Sequence, residues 1–430
     1  HIANLLGLSE VLSYDMRGTP AKICLIDEGQ PQTSRFFEVA REYRFLKGSG
    51  IPLKIPVIEM VEIGAGGGSI AGVDAMKRIS VGPESAGSEP GPASYGRGGE
   101  APTVTDADVV LGRIDPDNFA GGSMRLDAAA AGLALDRVIG ERMEFETAYA
   151  AMGVSEIVDE NMANAARVHA IESGKNIEKR ALVAFGGAAP IHASRLGEKL
   201  NIDRIVIPPG AGVGSALGFL RAPVAYEVIR SHYQRLDQLD ITQTNQLIQA
   251  MRDEAYGVVN LGAGGQETKE SRTAFMRYMG QGHEVSVEIP VVVRQDQLDD
   301  DSREMLQVAF EQEYHRLYER TIPGLEIEIL TWTLLVTTLR HQETLNLDDL
   351  DEPAEASPIG QRMLMNAERG EFEQAPVFDR STLEPGHVID GPAVIVEKDT
   401  ATVVSARFRA RVIRSEFIIL EARETQGKET

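Results

Sequence analysis

Three short strings combine the residue types and spacing that phosphate chemistry needs. The first is Asp15-Met-Arg-Gly-Thr-Pro20, a turn between the apolar runs 10–14 and 21–26. Backbone N–H groups and a Thr hydroxyl at such a turn can hold phosphate oxygens, and a preceding carboxylate can hold a hydrated Mg²⁺. An ordinary hairpin carries the same composition. The second is Glu62-Ile-Gly-Ala-Gly-Gly-Gly-Ser69, where four glycines fall in five positions after a strand-like run. So many glycines weaken a strand end unless another backbone, a phosphate or a partner subunit comes close. The third is Phe185-Gly-Gly-Ala-Ala-Pro190, between an apolar run and a helical pattern. It reads as a tight strand-to-helix connection, or as bare backbone against which an adenosine lies, with free N–H groups at the helix start. His192 follows within reach of that turn, as a catalytic group or as a buried or capping histidine.

Other chemistries find no support. None of the eight histidines stands in a paired H-E-x-x-H spacing, and no G-x-S-x-G or Walker A string occurs. The single cysteine, Cys24, excludes an internal disulfide framework and multi-cysteine metal sites. It lies in an apolar run, so it reads as core rather than nucleophile.

The elements needed to position these strings are visible as periodicity. Two strands, 10–14 and 21–26, form a hairpin around the Asp15 turn. A strand over 56–63 leads into the second string. Residues 127–178 read as helical, with Asp127 as a first cap and Gly174 ending the run from Glu144. Then come a strand over 180–185, a helix over 191–200, a strand over 204–208 and another glycine-rich string, 209–218. This alternation is an α/β signature. Beyond about residue 225 the pattern changes to a helix at 235–257, a strand–turn–strand over 274–290, a helix at 299–318 and a strand at 327–339. Residues 340–370 read as a loop-rich connection. Short strands at 375–378, 393–396, 402–404 and 408–413 suggest a small barrel or sandwich. We therefore expect two domains, an α/β domain over 1–225 and an α+β, β-rich domain over 226–430.

Composition bounds the partners. The 430 residues carry 43 Lys+Arg against 65 Asp+Glu, a formal charge of −22. That acid excess argues against nucleic acid and against a basic membrane-surface protein. No apolar run approaches the roughly 18 residues of a spanning helix. A cytoplasmic protein is the simplest fit. Glycine, with 42 residues, concentrates in the strings above. The opening His-Ile-Ala-Asn, without Met, suggests a fragment or a processed chain.

Taken in order, the strings resemble the hydantoinase A/5-oxoprolinase family. The resemblance runs from Tyr14-Asp-Met-Arg-Gly-Thr19 through the glycine string at 62–71, 81–92, 102–107, Ala184-Phe-Gly-Gly-Ala-Ala-Pro-Ile-His-Ala193 and 277–284 to Gly391-Pro-Ala-Val-Ile-Val-Glu397. It covers nearly the whole chain. It implies lobes of the actin/sugar-kinase/Hsp70 ATPase type followed by a β-rich C-terminal domain, with a further N-terminal lobe that this chain lacks. It implies ATP with Mg²⁺ or Mn²⁺, any further metal lying in the partner. The implied reactions are cyclic-amide hydrolysis or ketone carboxylation, in a hetero-oligomer with a hydantoinase B-type subunit.

By the same resemblance Asp15, Gly18 and Thr19 match a phosphate loop, with Asp15 positioning Mg·ATP. Gly186, Gly187 and Pro190 match the adenosine-side turn, and Gly66, Gly67 and Gly68 a third glycine segment for phosphate or interlobe contact. The family pattern at 15–20 is usually Asp-Met-Gly-Gly-Thr-Thr. Here Arg17 replaces a glycine and Pro20 a threonine, which brings a Cβ to the loop and deletes an N–H. These departures motivate an alternative, a structural subunit that no longer hydrolyses ATP.

Overall fold

The computed structural model describes residues 1–40, 42, 48–289, 297–339, 344–345, 347 and 352–423. Pro290, and 340–343, 346 and 348–351 of the expected loop-rich connection, lie outside them. The chain forms two compact units, one of residues 1–220 with 343–430 and one of residues 221–342. This differs from the linear division at 225/226, because the tail strands return to the first unit.

The first unit is built on a ten-stranded sheet. At its centre three strands run parallel, Glu10–Met16, Ala181–Phe185 and Arg204–Ile207. Their sequences suit burial on both faces. Leu12, Tyr14 and Met16 alternate into the main core, whereas Val11, Val183 and Val206 point to the opposite face. The hairpin strand Ala21–Asp27 extends one side antiparallel and is itself paired by Met60–Ile63. The other side is completed by Ile418–Ala422, antiparallel to Arg204–Ile207, then by Phe408–Val412 and His387–Asp390.

Most of the remaining tail, Gly360–Asn366, Glu371–Asp379, Ala393–Val396 and Ala401–Val404, makes a separate four-stranded sheet in the same unit. The short tail strands, expected to form a small barrel or sandwich, are thus shared between two sheets of the first unit.

Helices cover the main core. Thr147–Glu172 buries Val154, Val158, Met162 and a run of alanines. Ala189–Leu200 connects two parallel strands, and Val104–Val110 opens with a capping box between Thr103 and Asp106. The expected helical stretch 127–178 is interrupted. Asp127 caps Ala128–Leu135 as anticipated, but Glu144 takes a positive φ of 58° and the chain restarts at Thr147.

The second unit is an antiparallel sheet in the order Ala225–Arg235, Ile327–Thr338, Thr268–Tyr278, Val285–Ile289. It packs with helices Ile241–Ala263 and Ser302–Tyr318 around Trp332, Met276, Tyr278 and Phe310. The helix expected at 235–257 begins later, and residues 225–235 are a strand. No helix among the described residues is long and apolar enough to cross a membrane.

Candidate functional site

The C-terminal ends of the three parallel strands carry three turns, where ligands of open α/β sheets bind. Strand register brings them together. Asp15 pairs with Phe185, so the Asp15 carboxylate stands beside the Gly186–Gly187 turn. A Cβ built on Gly186 would lie 2.5 Å from Asp15 Oδ1 and 2.4 Å from the Met16 carbonyl oxygen, and its φ is +103°. Glycine is required there by both space and conformation. The next turn closes on the first, since Gly186 N–H donates to Ala211 O (2.7 Å) and Ala188 N–H to Met16 O (3.0 Å).

Asp15 is held at both oxygens. Ser215 Oγ donates to Oδ2 at 2.7 Å, and Arg17 Nε donates to Oδ1 at 3.3 Å. Its side chain is 14% exposed, and that of Arg17 52%. Beyond it, a Cβ on Gly18 would meet nothing within 4 Å. Gly18 and Thr19 carry N–H groups, and Thr19 a hydroxyl, that form no internal hydrogen bond among the described residues.

The substitutions Arg17 and Pro20 have a structural solution. Arg17 N–H donates to Pro20 O (3.2 Å), but Pro20 has no N–H to return to the Arg17 carbonyl. That carbonyl instead accepts from Gly67 N–H (2.9 Å), and Gly18 O accepts from Gly68 N–H (2.6 Å). Gly66 packs so closely that its Cβ would lie 2.5 Å from Arg17 O and 2.7 Å from Thr19 O. Its own N–H donates to Ser69 Oγ.

The three glycines therefore spend their donors inside the protein. They draw the hairpin's carbonyls inward, which leaves the N–H groups of Gly18 and Thr19 on the open side. The N–H groups of Gly66, Gly67 and Gly68, the segment expected to serve phosphate or interlobe contact, all donate within the first unit. Thr105 anchors the segment from behind, its N–H and hydroxyl both donating to Gly67 O.

After the Gly186–Gly187 turn, Pro190 occupies the first turn of the Ala189–Leu200 helix, where a fixed φ is favourable. Gly187 has more room. Its nearest would-be contact is Asp399 O at 3.7 Å, and its N–H makes no internal hydrogen bond among the described residues. Thr400 Oγ1 donates to its carbonyl (2.9 Å).

His192 does not join these turns. It is wholly buried between two carboxylates, with Nδ1 2.8 Å from Asp159 Oδ1 and Nε2 3.2 Å from Asp108 Oδ2. Arg113 pairs with Asp108 (3.1 Å) and donates to Ser155 Oγ (2.6 Å), itself 3.4 Å from Asp159. Burial alone would push the imidazolium toward neutrality. The charges and hydrogen bonds of Asp108 and Asp159 outweigh it and lift the pKa to about 10. Asp108 is likewise disfavoured as an ion by burial, yet His192 and Arg113 hold it below the usual carboxylate range. The catalytic role raised for His192 from sequence gives way to a sealed clamp joining the helices that start at Val104, Thr147 and Ala189.

Ser215, Asp108, Asp159, Arg113, Asp399 and Thr400 were not singled out from sequence. Ser215 lay inside the string 209–218. Asp399 and Thr400 lie roughly 200 residues further on, with no local signal.

The family profile for hydantoinase/oxoprolinase matches residues 1–228, and that for the hydantoinase/oxoprolinase C-terminal domain matches residues 237–424. The chain belongs to the hydantoinase/oxoprolinase family. Within it, the alpha subunit of caprolactamase from Pseudomonas jessenii is 34% identical over 418 residues, covering 95% of this chain and 58% of that subunit. The acetophenone carboxylase gamma subunit of Aromatoleum aromaticum is 31% identical over 444 residues, covering 98% and 58%. This hydantoinase/oxoprolinase chain thus spans under three-fifths of the length of these relatives.

Two solved structures share the ATPase-lobe fold. The nucleotide-free structure of acetone carboxylase superposes with a TM-score of 0.82 at 23% identity, over 98% of this chain and 59% of that one. The ATP-dependent caprolactamase of P. jessenii superposes with a TM-score of 0.73 at 32% identity, over 97% and 59%.

Proposed function

We propose that this chain is the ATP-using part of a hydantoinase/oxoprolinase-type enzyme. It transfers a phosphoryl group to a carbonyl or enol oxygen of a cyclic amide or a ketone. The observation that carries the reading is the placement of Asp15 at a parallel strand's end, between the open Gly18–Thr19 tip and the Gly186–Gly187 turn. In that reading the N–H groups of Gly18 and Thr19 bind the phosphates, and Gly187 supports the nucleoside. Asp15, oriented by Ser215, would be the residue to hold a Mg²⁺, which would supply neutralisation of phosphate charge.

Transfer forms a bond from the substrate oxygen to phosphorus and breaks the bond to the ADP oxygen. Water then opens the activated cyclic amide with release of phosphate, or the enol carbon forms a C–C bond to carbon dioxide as water cleaves the enol O–P bond, releasing phosphate and restoring the ketone. Such chemistry runs on positioning and charge neutralisation and makes little demand for a side-chain nucleophile. A hydantoinase B-type subunit completes the enzyme. The relatives' names as alpha, beta and gamma subunits support a hetero-oligomer.

The test is ATP turnover by the full-length protein with its partner, offered hydantoins, lactams and aromatic ketones. Substrate-stimulated turnover lost on Asp15→Asn supports the proposal, and its absence with every substrate overturns it. One observation favours a second reading, a subunit that no longer hydrolyses ATP. Arg17 already occupies Asp15 Oδ1. Calorimetry with Mg·ATP separates the two. Binding that appears only in Arg17→Gly supports the second reading, and substrate-stimulated ATP turnover by the natural sequence rejects it.

A further inference from the structure

The turn Lys398–Thr400, between the strands Ala393–Val396 and Ala401–Val404, lies some 200 residues from the second and third strand-end turns and yet is built against both. A Cβ on Gly212 would lie 2.6 Å from Asp399 Cβ and 3.0 Å from its carbonyl oxygen, so only glycine admits the loop at that distance. Asp399 O is the nearest atom to a Cβ on Gly187, and Thr400 Oγ1 donates to Gly187 O at 2.9 Å. The loop is closed on itself by Glu397 N–H donating to Thr400 O at 3.1 Å. Asp399 is exposed, and its carboxylate has no hydrogen-bond or ion-pair partner among the described residues. The Gly-Gly turn thus has the Asp15 carboxylate beside Gly186 and, from a distant stretch of sequence, the Asp399 backbone beside Gly187, with the Asp399 side chain exposed on the same loop.

We infer that Asp399 is a specificity-determining residue that accepts hydrogen bonds from the ribose hydroxyls of the nucleotide. This rests on the reading that Gly187 supports a nucleoside. A sugar seated against Gly187 brings its vicinal hydroxyls to the adjacent loop, and a carboxylate there accepts from both. Hydrogen bonds to a charged acceptor are strong enough to discriminate on the order of tenfold or more against a sugar lacking a hydroxyl. The phosphate-side turns would grip ribo- and deoxyribonucleotides alike, so the tail loop would supply the distinction.

Calorimetric titration of the full-length protein with Mg·ATP, Mg·2′-deoxy-ATP and Mg·3′-deoxy-ATP tests this. The natural sequence should prefer ATP by at least tenfold over one or both deoxy forms. Asp399→Ala should weaken ATP most and each deoxy form less, so that the three affinities converge, and Asp399→Asn should fall between. Gly212→Ala, which pushes the loop away, should erode the same preference. An unchanged preference in Asp399→Ala, or equal binding of all three by the natural sequence, overturns the inference while leaving ATP binding standing. If the natural sequence binds no nucleotide, the ATP reading itself fails in the same titration. Far-UV circular dichroism of each variant checks the fold.

Discussion

Replacing His192 by Gln should cost this protein much of its stability and remove a specific pH dependence. The imidazolium makes two hydrogen bonds to carboxylates in a site without solvent access. Removing one partner of a buried ion pair costs about 3–5 kcal/mol, because the remaining charges are left uncompensated. Glutamine keeps one donor, so the lower end, about 3 kcal/mol, is expected. With a denaturation slope of about 3 kcal/mol per molar urea, the midpoint falls by about 1 M.

The pH signature follows from the raised pKa. A histidine at about 10 in the folded protein and near 6.5 when unfolded contributes fully below pH 6.5. Its contribution is lost as pH climbs through 10. Within that window the slope from this group approaches about 1.4 kcal/mol per pH unit. Urea titrations followed by far-UV circular dichroism at pH 6.5, 8 and 9.5 should show the natural protein losing stability faster than His192→Gln. Hydrogen exchange should rise in peptides from 147–172 and 189–200. Equal midpoints and parallel pH curves would refute the argument that a charged histidine holds these helices.

Three further outcomes follow from the geometry. Gly66→Ala should destabilise the first unit and weaken nucleotide binding together, since the new methyl meets the backbone of Arg17 and Thr19; paired melting and calorimetry would show it. Asp106→Asn should lower stability on the order of 2 kcal/mol in urea unfolding. Its carboxylate accepts from the N–H groups of Ala93, Ser94 and Thr103 and from the Thr103 hydroxyl, and an amide NH₂ would oppose them. Cys24 should react slowly with disulfide reagents at pH 8. Burial and the nearby Glu59 raise its thiol to about 11, so about one molecule in a thousand carries the thiolate. A rate like that of a free thiol would contradict this placement.

Local signals sufficed for the elements whose parts are local. The hairpin around Asp15 and the Gly-Gly turn before a helix could be read because strand periodicity and glycine punctuation are properties of neighbouring residues. What escaped was whatever depends on distant pairing. Ile418–Ala422 is a short apolar run like several others, and nothing in it shows that it extends the central sheet beside Arg204–Ile207. Gly360–Asn366 lacks β-branched residues, so it read as connection although it pairs along its whole length with Glu371–Asp379. Ala225–Arg235 exposes most of one face, which blurred its alternation. The glycines at 66–68 announced a close approach, but only the structure reveals that the approaching group is the hairpin's own carbonyls. His192 could not be classified, because its two carboxylate partners come from separate helices.

The returning tail has a bearing on how the protein is made. A ribosome that has released the strands up to Ile207 has exposed an apolar sheet edge whose neighbour, Ile418–Ala422, is still roughly 200 codons away. At about 5–20 residues per second that edge waits about ten seconds or longer. Slowing synthesis should therefore lower the yield of soluble protein, and added chaperone should restore it.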